Sequence, residues 1–228
     1  MLALTASCAG GTAAAPSAVE GPDAAVRRYF RASDEGSPPL LREATHPTIW
    51  MQSAGPEGEL RVVPQLAWTE RLAETPAVPA TSRALQIIDS EGGLALLRAT
   101  SRWPDHGFED LIIAVRTGSR WQMVAKIFTA APDPADLTDE DKRQIAAVIA
   151  DKVAADAGHD PALLARSHTD DCPYYHPDPK LVRWSLSEWA AVYAARRAAG
   201  KPSTNTWRTL LVTGRGTIAA VWGDPART

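Results

Sequence analysis

The stretch Phe108 to Phe128, FEDLIIAVRTGSRWQMVAKIF, reads as two β-strands joined by a turn at Arg116–Arg120. In the second strand Trp121, Met123, Ala125 and Ile127 alternate with Gln122 and Lys126, the period of a strand with one face buried. Such a hairpin closes a sheet. About a hundred residues follow it, and they read like the part that precedes it.

Upstream, GPDAAVRRYFRASDEG gives a helix with Pro22 at its start and Gly36 at its stop, and PPLLREATH gives a second, short helix. TIWMQSAGPEGELRVV has turn residues between two apolar patches, and PQLAWTERLAETP is a third helix. SRALQIIDSEGGLALLRATSRW is a hairpin around Asp89–Gly93. Downstream, Thr138 and Asp141 form an approximate capping box at the start of a helix with the apolar stripe Ile145, Val148, Ile149 and Val153. PPLLREATHPTIWM is then answered by PALLARSHTDDCPYY, LAWTERLA by SEWAAVYA with Trp68 over Trp189, and the first hairpin by TWRTLLVTGRGTIAAVWGD. The offset is that of a whole domain rather than a solenoid unit. The expectation is a leader or tail over 1–20, a complete domain over 21–131, and a second copy over 132–228 without the closing hairpin. Its last strand, around Thr217–Trp222, should then have an open edge.

The order of elements, and above all GFEDLIIAVRTGSRWQMVAKIF, resembles the nuclear transport factor 2-like superfamily, in its SnoaL-like and lumazine-binding branches. There an acidic residue and an apolar strand, a Gly turn, then W-x-I/M-V-x-K-I/V-F finish the sheet. The resemblance implies an α+β class with two cone-like domains, each a curved antiparallel sheet covered by short N-terminal helices. It implies little chemistry, because this fold hosts enzymes and binding modules alike.

The formal net charge is −3 with no basic block, which argues against a nucleic-acid partner. The start, MLALTASCAGG, leaves two readings open: the end of a bacterial lipoprotein signal with Cys8 as the lipidated residue, or a disordered tail. The first would tether the protein to the bacterial cell envelope if the true start lies upstream; otherwise a cytoplasmic location is expected. Cys8 and Cys172 are not expected to pair. No cofactor motif is present, and no metal signature.

Eight Trp suggest filled cores or half-wet pockets. In the first copy the candidate pocket wall is His46, Trp50, Trp68, Trp103, Asp105, His106, Asp110 and Trp121. Isomerases and dehydratases of the resembled family use an Asp base, or a His–Asp pair, with a Tyr donating to the substrate oxygen. Here His106 and Asp110 sit near a strand turn and the only Tyr is Tyr29 on the first helix, so no residue-by-residue match is made. The preferred reading puts His46 at a helix end and His106 in a surface loop. In the second copy HTDDCPYYHPD holds His168, Asp170, Asp171, Cys172, Tyr174, Tyr175 and His176, with Trp184, Trp189 and Trp207 nearby. A pocket rim or a plain turn covering the core is favoured there over a metal site or a Cys nucleophile. The expected function is a non-catalytic protein that binds a small apolar ligand or a protein partner. The alternative is a SnoaL- or ketosteroid-isomerase-like enzyme transferring a proton on a carbonyl compound. A homodimer is compatible with an open edge.

Overall fold

The computed structural model describes residues 20–55, 59–130, 135–169, 174–175, 183–200, 205–215 and 218–227. The first half runs α1 (Asp23–Glu35), α2 (Pro38–Ala44), β1 (Thr45–Ala54), β2 (Leu60–Pro64), α3 (Gln65–Glu74), β3 (Ser82–Glu91), β4 (Leu94–Arg102), β5 (Gly107–Thr117) and β6 (Arg120–Thr129). Gly36 ends α1 at φ 60°, a left-handed conformation that costs glycine least. The strands form one six-stranded sheet in the order β2-β1-β6-β5-β4-β3. The class is α+β, as the sequence suggests, but the sheet is mixed: β1 runs parallel to β6, and the other pairings are antiparallel. β1 enters with a register shift between Thr45 and Trp50.

Residues directly opposite in adjacent strands share a face. On one face lie Ala95, Leu97 and Ala99 of β4 with Asp110, Ile112 and Ala114 of β5. α1 and α2 cover this face with Val26, Tyr29, Phe30 and Leu41, and the apolar members make one core with Ile49, Trp121 and Met123. Fully burying a side chain such as Leu97 or Ile112 stabilises by about 1.5–3 kcal/mol. The other face carries Leu96, Arg98, Glu109 and Leu111.

The strict alternation read for the closing strand does not hold. Ile113 pairs with Ala125 and Ala114 with Met123, so Val124 is an extra residue and β6 has a bulge there. A bulge turns the side chains beyond it to the opposite face. Lys126 and Phe128, opposite Ile112 and Asp110, therefore lie on the helix-covered side, and Ala125 and Ile127 on the other.

The second half runs α4 (Asp139–Gly158), α5 (Pro161–Ser167), β7 (Tyr174–Tyr175), β8 (Arg183–Trp184), α6 (Leu186–Ala198), β9 (Asn205–Arg215) and β10 (Ile218–Arg227). The capping box at Thr138 is formed, with the Asp141 carboxyl held below its usual range by bonds from the Thr138 side chain and backbone. Leu164, Leu186, Ala155 and Tyr193 make a smaller core. The stripe of α4 is incompletely covered: Ile145 and Ile149 are half-buried and Val148 is 47% exposed. β9 and β10 pair with each other, and among the described residues with no other strand. No described helix is long and apolar enough to cross a membrane.

Candidate functional site

The helix-covered face of the first sheet is largely apolar and holds one buried charged inset. Asp110 is the fourth residue of β5, only 1% exposed. Lys126 reaches it from β6: its Nζ lies 3.2 Å from Asp110 Oδ1 and donates to the Tyr29 hydroxyl at 2.8 Å. The same ammonium lies 4.9 Å from the Tyr29 ring centre and 4.8 Å from that of Phe128, a position in which ring faces attract cations. Burial pushes the Asp110 carboxyl above its ordinary 3.8, and Lys126 and then Arg83 offset this only in part. Burial also works against the Lys126 ammonium, but Asp110 and Tyr29 outweigh it, and Lys126 holds its proton to higher pH than usual.

Aromatic rings and a second ion pair lie beside the inset. Phe128 meets Phe108 edge-on at 5.8 Å, and Phe108 meets Trp103 at 5.9 Å. The Arg83 guanidinium lies 4.5 Å from the Phe30 ring and 5.4 Å from Trp103, donates to Ser101 Oγ at 2.7 Å, and pairs with Asp34. Trp103, Phe108 and Phe128 are half-buried, and the Trp103 N–H donates to the Val78 carbonyl at 2.8 Å. The arrangement is a half-buried aromatic cluster next to a buried, internally neutralised Tyr–Lys–Asp set.

The other sequence candidates are dispersed. His106 is a surface residue, its ring half exposed, stacked on Trp103 at 4.8 Å and bonded to the Asp105 carboxylate at 2.6 Å. His46 bonds Thr48 Oγ1 at 2.7 Å, and burial lowers its pKa. Trp50 is half-buried on β1. Trp121 is in the core; its amide donates to Glu20 and its carbonyl accepts from Arg28, which ties Glu20 and α1 to the β5–β6 turn. Trp68 packs on the core from α3, and its indole N–H is buried with no hydrogen-bond partner among the described residues.

In the second half His168 follows α5, its Nδ1 3.1 Å from the Leu164 carbonyl oxygen, and burial lowers its pKa. Trp189 packs beside Tyr193, ring centres 5.4 Å apart. Cys8, Cys172 and His176 lie outside the described residues, as do the side chains of Tyr174, Tyr175, Trp184 and Trp207. The described residues contain no group of three or more His, Cys, Asp or Glu that could hold a metal ion.

Sequence reasoning missed Lys126, Arg83, Phe108 and Phe128, and set Tyr29 aside. One signal for Lys126 was present: a lone lysine inside an apolar strand that the bulge turns inward.

Residues 17–129, just under half of the chain, match a family described as "Putative lumazine-binding". Over these residues the first domain resembles the nuclear transport factor 2-like superfamily, as the closing hairpin of the sequence implies. Similar solved structures include a nuclear transport factor 2-like protein of unknown function from Silicibacter pomeroyi, 22% identical, covering 47% of this chain and 90% of that one at a TM-score of 0.41. Another, from Shewanella baltica, is 16% identical and covers 48% and 90% at 0.42. A ketosteroid isomerase-like protein from Erwinia carotovora atroseptica is 12% identical and covers 49% and 98% at 0.38. No curated protein matches the chain.

Proposed function

We propose that the first domain is a non-catalytic module that binds a small, flat, mostly apolar ligand at the mouth formed by Trp103, Phe108 and Phe128. The observation that carries this reading is the state of Asp110. A proton-transfer enzyme needs a base that meets its substrate. Asp110, the one carboxylate on the helix-covered face of β5, is closed in an ion pair with Lys126 and shut from water. The half-buried rings of Trp103, Phe108 and Phe128 instead favour stacked or edge-on partners. The family description, which names the binding of a heteroaromatic compound, points the same way.

The second reading, proton transfer on a carbonyl compound, draws on the raised Asp110 carboxyl and the Tyr29 hydroxyl on the same ammonium. It requires Lys126 to leave Asp110 when substrate enters.

The test is equilibrium dialysis with lumazine as the probe. Saturable binding is expected, weakened about three- to tenfold by Trp103→Leu, the effect of losing one ring contact. Circular dichroism checks that the variant stays folded. No binding, or equal binding by the variant, overturns the mouth as the site. Deuterium uptake by a steroid ketone, catalysed by the intact chain and abolished by Asp110→Asn, would favour the enzyme instead.

A further inference from the structure

The second half repeats the first element by element. α4, α5, β7, β8, α6, β9 and β10 follow the order of α1, α2, β1, β2, α3, β3 and β4. The details agree. His159 ends α4 in the same left-handed conformation as Gly36 ends α1. α5 and α2 each have seven residues and a proline in the first turn. One step of 123 residues separates Gly36 from His159, Pro38 from Pro161, buried Leu41 from buried Leu164, and the first residues of β3 and β9. Trp68 and Trp189 stand on the matching helices α3 and α6. The packing partners match as well: α4 touches α5 and β9, and α5 touches α6, as α1 touches α2 and β3, and α2 touches α3. β5 and β6 have no counterpart among the described elements.

The outer face of the first sheet should face water if the helices cover only one side. Yet Leu96, Leu111, Val124 and even Glu109 are buried there. β10 packs against β5 and β6, and Arg98 of β4 donates to the Thr213 hydroxyl of β9. Ile218, at the start of β10, is buried too. β10 itself carries a register shift at Trp222–Gly223 and a proline at Pro225, features that blunt a strand edge. Its contact with the first domain is therefore through a face rather than by adding strands to an edge.

We infer that the elements from α4 to β10 are a second copy of the order α1 to β4 and that the β5–β6 hairpin packs against both copies. It closes the first sheet through its backbone edges, and its outer face covers the β9–β10 hairpin of the second. The inference is independent of the mouth and of any ligand there.

Photo-crosslinking of the intact chain tests it. Benzoylphenylalanine is placed at Thr213 and, in a separate protein, at half-buried Ala220 on β10, so that a single misfolded variant does not decide the outcome. Labelled and unlabelled chains are mixed, and mass spectrometry assigns the adducts. Adducts on residues 94–129 of the same chain are expected. Adducts on those residues of a different chain, or on the second half alone, overturn the inference. A helix exchange checks the copy: replacing Pro38–Ala44, PPLLREA, by PALLARS is expected to leave one cooperative unfolding transition. Loss of that transition refutes the equivalence of α2 and α5.

Discussion

Lys126→Met is expected to destabilise the protein by about 3–5 kcal/mol, the cost of leaving one charge of a buried pair without its partner. Replacing both partners, Asp110→Leu with Lys126→Met, should recover most of that loss, because no buried charge then remains and the added atoms are apolar. Urea unfolding with the slope measured for each variant separates stability from changes in compactness. The single variant also has a pH signature. Asp110 already titrates above 3.8 with Lys126 beside it, and without the ammonium the shift grows. The native state then holds a proton that the unfolded state releases, so the stability of Lys126→Met should rise as pH falls through the native value toward 3.8. Lys126 in the unchanged protein acts at the other end. Its raised value means that its contribution is fully present below 10.5 and is lost as pH rises through the native value. A Lys126→Met loss below about 1 kcal/mol would mean that the pair is open to water, as surface pairs are.

The fold was legible where local chemistry decides it. Gly36, the Gly92–Gly93 turn, the Thr138 capping box and the two hairpins of the first half occupy the places their residue types demand. Two features were not legible. The parallel β1–β6 pairing joins residues as far apart in the chain as Trp50 and Ala125, and no periodicity encodes which strands become neighbours. The extra residue at Val124 is chosen by register against β5, which one strand read alone cannot reveal. That single residue decides the site. Without it Lys126 would face outward, as the alternation suggests, and Asp110 would lose its nearest counter-charge. Tyr29 was set aside for the same reason: its partner lies 97 residues away, and only the folded sheet joins them. The second half is read less well because its chemistry-rich stretch, from Asp170 to Tyr175, holds turn residues with no repeating pattern to assign a face.

Arg98→Met should cost about 3 kcal/mol, the lower end for breaking a buried pair, because the arginine keeps some contact with water while Glu109 has almost none. The guanidinium lies 3.6 Å from the Glu109 carboxylate and also holds Thr213. Removing it strands a buried carboxylate on the outer face of the sheet. Arg98→Met with Glu109→Gln should regain most of the loss, since a neutral amide costs far less to bury than a charge. Thr213→Val alone should cost only about 1 kcal/mol, one hydrogen bond. The two couplings separate two causes. A large Arg98–Glu109 coupling with a smaller Arg98–Thr213 coupling, read from double-mutant cycles, is expected if the hairpin keeps water from the pair. If the hairpin stood away from the sheet, Glu109 would be solvated, and Arg98→Met would cost less than about 1 kcal/mol, like any exposed pair. The size of the Arg98 effect therefore reports whether the second half covers the first.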